Sequence, residues 1–209
     1  MSNDAQARDD MNRMYRWTRY VYDVSRKYYL LGRDVLIRNM GAKPDEHICE
    51  VGCGTARNLR KLALLYPESY FYGLDASDEM LKTARRSLTR HGLNTKVPLA
   101  QGFSQNFDPA VLFNLNKPLD KIFFSYSLSI IPPWQASIDH ALKILPLGGE
   151  IHIVDFGAQD GLPKWFRGFL FWWLKMFHVY HRPEVLEYFH ALTAEKKGTL
   201  SVEHLYKGY

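Results

Sequence analysis

Cysteine is nearly absent: the 209 residues hold two, Cys49 and Cys53. That is too few for a disulfide framework, and neither has the partners or spacing of a zinc site. Both read as reduced, packed residues, and no metal is expected. The chain also lacks any apolar run of about eighteen residues, which excludes a membrane-crossing helix. Its N-terminus is polar and charged, unlike a cleavable signal, so the expected location is cytoplasmic. Internal repeats and low-complexity tracts are missing too, which removes solenoids and disordered tails. Nothing marks a linker, so residues 1–209 read as a single domain, with a helical cap over 1–44 and a core over 45–209. A hydrophobic share of 46% is enough to fill one core. The net charge of +5 is moderate, which favours an anionic surface or substrate without proving either. No compact basic surface tracks a phosphate backbone, so nucleic acid is not an expected partner.

Aromatic and periodic residues are plentiful. From Asp9 to about Met40 the apolar positions Met11, Met14, Trp17, Val21, Val24 and Tyr28 fall at three- and four-residue steps, predicting the cap helix. Strands are predicted at His47 to Val51, Tyr70 to Leu74, Lys96 to Ala100, Asp120 to Ser125 and Glu150 to Asp155. Between them helices are expected over Arg57 to Leu65, Asp78 to Arg90 and Trp134 to Leu145, with Pro67, Gly92 and Pro146 as stops. A helix-prone aromatic stretch, Lys164 to Tyr180, precedes a helix over Pro183 to Ala194 and a last strand over Thr199 to Tyr206. Alternating strands and helices imply an α/β fold with a mostly parallel sheet and helices on both faces.

The segment Glu50-Val51-Gly52-Cys53-Gly54-Thr55-Ala56 sits between the first strand and a helix. Its two glycines let the backbone turn tightly and approach a ligand. A dinucleotide fingerprint would need its third glycine where Arg57 stands, so a nicotinamide cofactor is disfavoured. Asp75, about twenty residues past the glycines, closes the second strand where a ribose diol needs an acceptor. Acid, x, Gly, x, Gly, x, small residue resembles the loop of class I S-adenosylmethionine-dependent methyltransferases. Leu145-Pro146-Leu147-Gly148-Gly149-Glu150 is similar to a further turn of that family. The resemblance implies their Rossmann-like fold, whose closing antiparallel strand is here missing or very short. It implies S-adenosylmethionine as cofactor, held by Glu50, Gly52, Cys53, Gly54, Asp75 and Ala76, with Gln101, Gly102 and Phe103 at the adenine end and Ser125 after the fourth strand. Ile131-Pro132-Pro133-Trp134 superficially resembles the motif of amide and amine N-methyltransferases, but an isoleucine stands in the polar position and a helix start explains it better.

The acceptor is narrowed by two other segments. Lys164 to His178 is apolar around most of a helical circumference, with Lys164, Arg167, Lys175, His178 and Arg182 as a basic stripe. That pattern suits an interfacial helix among anionic headgroups, with a core or subunit-interface helix as the alternative. Tyr22-Asp23-Val24-Ser25-Arg26-Lys27-Tyr28-Tyr29-Leu30-Leu31-Gly32-Arg33-Asp34 is similar to the cap of bacterial diacylglycerylhomoserine N-methyltransferases of betaine-lipid synthesis. The likeness continues through Phe124 to Trp134, Ile153 to Gly157 and Leu205 to Tyr209. It implies three successive methylations of an amino lipid, giving diacylglyceryl-trimethylhomoserine. It also implies placement at the inner membrane as a peripheral protein, and the enzyme that makes diacylglyceryl-homoserine as a candidate partner. Another lipid or quinone methyltransferase, or a non-catalytic cofactor-binding module, stays open, as does the oligomeric state.

Methyl transfer asks chiefly for alignment and dryness, but the amine must lose a proton before each attack. Tyr126, Asp155 and His152, near strand ends, are the candidate relays, with packing as the alternative for His152 and turn capping for Asp155. Tyr22, Tyr28, Tyr29 and Tyr126 are candidate rings for the growing cation, with core packing as the alternative because Tyr28 and Tyr29 cannot both face the site on one helix, and Arg26 is a further substrate residue. Arg33 is a candidate for the carboxylate of cofactor or substrate, against pairing with Asp34 or Asp23.

Overall fold

The computed structural model describes residues 30–157 and 182–206 apart from 196, together with 159, 161, 163–165, 168 and 172. Five strands form one parallel sheet: β1 His47–Val51, β2 Tyr70–Asp75, β3 Leu99–Gln101, β4 Lys121–Ser125 and β5 Glu150–Val154. Their order is β3-β2-β1-β4-β5. The chain builds outward from β1 on one side, then crosses to start again on the other. The reversal lies between β1 and β4, where open α/β sheets leave a crevice at the strands' C-terminal ends.

β1 and β4 are buried along their whole length, as expected of central strands covered on both faces. Alternation divides their side chains into two cores. Ile48, Phe71 and Phe123 meet Leu36, Ile37, Met40, Leu59, Leu81 and Leu88 on one face. Cys49, Val51, Tyr72, Leu74, Ile122 and Phe124 meet Phe107, Leu128, Ile138 and Ala141 on the other. The first face is covered by α1 Arg33–Asn39, α2 Arg57–Leu65 and α3 Asp78–Arg90. The second carries α5 Trp134–Ile144 and α6 Pro183–Ala194. The short helix α4, Pro109–Phe113, precedes β4. Ser77 caps α3 by accepting from the Met80 N–H at 3.4 Å, with Asp78 and Glu79 in the first turn.

The opposite, N-terminal edge of the sheet is closed by charge. Lys121 Nζ, buried, lies 3.3 Å from Glu46 and 3.2 Å from Glu150. It also donates to the carbonyls of Met40 at 3.2 Å and Gly41 at 3.1 Å.

Three expectations are corrected. The third strand begins at Leu99, not Lys96: the N–H groups of Lys96 and Val97 turn back to the Leu93 carbonyl at 3.1 and 3.0 Å, and Pro98 has no N–H for the ladder. The last strand, Thr199 to Tyr206, does not form. Its residues 201–204 are exposed and the segment runs beside α1, where Asn39 donates to Glu203 at 3.5 Å. Its apolar burial is limited to the partly buried Leu200 and Leu205, the latter near Gly32, too little to hold a strand. The third correction, α4, was not expected at all, although Asp108 caps it at 2.9 Å and Pro109 opens it. Of the cap, residues up to 29 lie outside the described residues, as does most of the aromatic stretch from Lys164 to Tyr180.

Candidate cofactor and acceptor site

The glycine loop leaves β1 at the reversal point with three left-handed residues: Gly52 (φ +77°), Gly54 (φ +53°) and Ala56 (φ +58°). The N–H groups of Gly52 and Cys53 donate to the Leu74 carbonyl at 2.8 and 3.0 Å, curling the loop over the end of β2. A Cβ on Gly52 would stand 2.6 Å from the Ser127 Cβ, so only glycine fits there. Ser127 in turn donates its hydroxyl to the Val51 carbonyl at 2.9 Å.

Two carboxylates fix this loop. Glu50, almost fully buried, accepts from the Asn58 amide at 2.7 Å, tying β1 to the first turn of α2. Asp75 accepts from the Gly54 N–H at 2.7 Å and from the Ser77 N–H at 2.8 Å. A carboxylate offers about four acceptor sites, so the same group can brace the loop and receive a ribose hydroxyl. Ala76 accepts from the Gln101 amide at 3.1 Å, and the Gly102 N–H donates to the Asp75 carbonyl at 3.1 Å. The half-buried Phe103 follows on the same edge, so Asp75, Ala76, Gln101, Gly102 and Phe103 line up after β2 and β3. The Cys53 thiol is buried, and burial pushes its pKa well above the ordinary value, keeping it neutral.

On the other side of the crevice stand Ser125 and Tyr126. The Ser125 hydroxyl is buried with no hydrogen-bond partner. Tyr126 (φ +53°) is buried, and its hydroxyl accepts from the Gly32 N–H at 3.0 Å, pinning the start of α1 over the sheet. Burial pushes its pKa up to about 12, so it stays a phenol at neutral pH. Its ring meets Phe156 edge-on at 4.8 Å.

Asp155 follows β5. Its carboxylate accepts from the Ser129 N–H at 3.0 Å and the Phe156 N–H at 2.9 Å. Burial pushes its pKa up to about 6, against the lowering effect of those bonds and of the Arg182 charge. His152 sits in mid-strand and bonds Glu150 at 2.7 Å, toward the N-terminal edge of the sheet. Arg33 is buried beside the cap, with its Nε donating to the Leu30 carbonyl at 3.4 Å. Its neighbour Asp34 binds Arg57 at 3.0 Å and Lys61 at 2.8 Å, and Asp23, the other alternative partner of Arg33, lies outside the described residues. Tyr22, Arg26, Tyr28 and Tyr29 lie outside the described residues.

Asn58, Ser77 and Ser127, which brace the loop, were not among the residues expected from the sequence. The serine run at Ser125, Ser127 and Ser129 directly after a buried strand was the available signal. The geometry fits a nucleoside cofactor: a cradle that a Cβ would fill, a buried acid at the end of β2, and an unpaired buried hydroxyl after β4.

A methyltransferase-domain family matches residues 42–179. A demethylmenaquinone methyltransferase of Desulfitobacterium hafniense is 24% identical over 161 residues, covering 74% of this chain and 61% of its own length. A malonyl-[acyl-carrier protein] O-methyltransferase of Ilyobacter polytropus is 29% identical over 119 residues, covering 57% of this chain and 41% of its own. The chain thus spans about three-fifths or less of these curated relatives. A solved structure from Bacillus halodurans, assigned as a methyltransferase, superposes with a TM-score of 0.60 at 17% identity, covering 78% of this chain and 67% of that one. With that fold and a match over most of its length, the chain belongs to the methyltransferase-domain family and carries the Rossmann-like class I architecture.

Proposed function

We propose that the protein transfers methyl groups from S-adenosylmethionine to the amine of diacylglyceryl-homoserine, three times in succession, giving the trimethylated betaine lipid. The donor rests on one observation, the Gly52 to Gly54 loop braced by Asp75 at the sheet's reversal point. The acceptor rests on the resemblance of Tyr22 to Asp34, and of the segments after β4 and β5, to enzymes of that activity.

Bound S-adenosylmethionine supplies an electrophilic methyl group. The residues of this chain that would hold it are Glu50, Gly52, Gly54, Asp75, Gln101 and Ser125. Each methylation would make an N–C bond in place of the donor's S–C bond, leaving S-adenosylhomocysteine, and must shed one N–H proton from a lipid ammonium. Asp155, ionised above about pH 6, is the base best placed to take that proton. Tyr126 serves differently: its hydroxyl accepts the Gly32 N–H and holds the cap over the crevice, which excludes water.

A lipid acceptor also fits the surface. Trp165 and Trp172 are 76% and 58% exposed, and exposed indoles suit the bilayer interface. We place the protein as peripheral on the inner membrane. The second reading is a lipid quinone acceptor, favoured by the relatives named demethylmenaquinone methyltransferases.

Purified protein incubated with methyl-labelled S-adenosylmethionine and separate vesicles of diacylglyceryl-homoserine, phosphatidylethanolamine and demethylmenaquinone tests this. Label in the first supports the reading. Label confined to either of the others sinks it, and cofactor binding without transfer favours a non-catalytic module.

A further inference from the structure

Two polar side chains, the buried Gln159 four residues past Asp155 and the half-buried Arg182, have buried hydrogen-bonding atoms that the fold does not use. Gln159 is fully buried, yet neither its amide nitrogen nor its amide oxygen has a hydrogen-bond partner. Its backbone is held at φ +57°, a left-handed conformation uncommon outside glycine and concentrated at functional sites. Arg182, which precedes α6, buries its Nε without a hydrogen-bond partner, while its charge acts on Asp155. Native folds pair nearly all buried polar atoms, so groups left over at the open edge of a sheet mark where a ligand completes the set.

The chemistry of the set narrows the ligand. Arg182 can only donate, through a fork that matches an oxyanion. Asp155 when ionised can only accept, which suits an ammonium. Gln159 can do both. We infer that Asp155, Gln159 and Arg182 form the acceptor-headgroup site, and that it takes a zwitterion whose amine lies beside an oxyanion. Asp155 receives the amine and Arg182, with the Gln159 amide nitrogen, receives the oxyanion. This deepens the proposed function by assigning acceptor selection to residues outside the cofactor loop. Carboxylate and phosphate are the two oxyanion sources that a lipid amine offers, and a simple fatty amine offers neither.

The test is calorimetric titration of the full chain, saturated with S-adenosylhomocysteine, by detergent micelles carrying diacylglyceryl-homoserine, phosphatidylethanolamine or oleylamine. Wild type, Arg182→Met, Arg182→Lys and Gln159→Leu are compared, with the Kd for S-adenosylhomocysteine as the control for folding and cofactor binding. Arg182→Met is expected to weaken the oxyanion-bearing lipid at least tenfold, with Lys restoring part of it, Gln159→Leu weakening it several-fold, and oleylamine and S-adenosylhomocysteine unaffected. Unchanged lipid affinity in Arg182→Met overturns the inference, as does a parallel loss of S-adenosylhomocysteine, which would place Arg182 with the cofactor. Binding needs no turnover, so the readings separate. A selective effect on phosphatidylethanolamine keeps the oxyanion site and removes homoserine as the acceptor. Failure of wild type to prefer either zwitterion over oleylamine overturns the site itself.

Discussion

At the residue scale, Gly52 and Asp155 carry the sharpest consequences. A methyl group at Gly52 meets the Ser127 Cβ at 2.6 Å and must also accept φ +77°. Strain of this kind costs about 1–3 kcal/mol, and relief requires the loop to move off Asp75. Gly52→Ala should therefore lower thermal stability and abolish measurable S-adenosylhomocysteine binding by calorimetry. Retained affinity would mean that the loop is not the cofactor cradle. Asp155 gives a pH signature. As the base it acts in the ionised form, so kcat/KM for the amine should rise through about pH 6 and level off above it. Asp155→Asn should remove that limb and lower the rate by about 10²-fold or more. Stability runs the other way. The folded pKa of about 6 lies above the ordinary carboxylate value, so the native state holds the extra proton and this group's contribution falls as pH rises from about 4 to 6. Urea midpoints of Asp155→Asn should lack that decline, and an unchanged slope would show that the carboxyl is not buried in solution.

Among the elements, α1 is the one whose docking closes the crevice. Leu36, Ile37 and Met40 bury its inner face, and the Tyr126 hydroxyl holds its first turn through Gly32. Tyr126→Phe leaves that buried N–H unpaired, at about 1–3 kcal/mol. If Tyr126 is a clamp, the variant should lose stability and raise KM while kcat keeps its pH profile. A kcat loss of two orders with unchanged Tm would return it to the chemistry. The Asp34 pair with Arg57 and Lys61 is half-exposed, and Asp34→Ala should cost no more than about 1 kcal/mol. These same elements show what was legible beforehand. β1, α2, α3 and α6 follow from buried runs, helical periodicity and proline or glycine stops, because each signal is local. The start of β3 and the fate of residues 199–206 depend on which neighbour supplies a ladder, and no local pattern states that. For the site, the glycines and Asp75 are readable because backbone geometry demands them. Asn58 meets Glu50 only once α2 packs beside β1, and the burial of Gln159 and of the Arg182 Nε is a product of the tertiary fold that no local pattern states.

For the whole molecule, the question is how a crevice on a +5 protein reaches a lipid headgroup. Among the described residues no helix is long and apolar enough to cross a membrane. Trp165 and Trp172 stand exposed between β5, which ends at the acceptor residues, and α6, which Arg182 precedes. Chain connectivity thus links the exposed tryptophans to both sides of the headgroup set. Docking through them would put lipid adsorption and acceptor recognition on one face. Indole insertion contributes apolar burial, and each basic residue near an anionic leaflet adds about 1 kcal/mol. Sedimentation with vesicles containing anionic lipid should therefore be strong at low salt and weaken as the Debye length shrinks from about 30 Å at 0.01 M to about 10 Å at 0.1 M. The double variant Trp165→Ala, Trp172→Ala should stay in the supernatant and lose activity on vesicles, while keeping its affinity for S-adenosylhomocysteine and its activity on detergent-solubilised lipid. Binding indifferent to salt and to both tryptophans would remove the membrane face and leave the acceptor to arrive by a carrier.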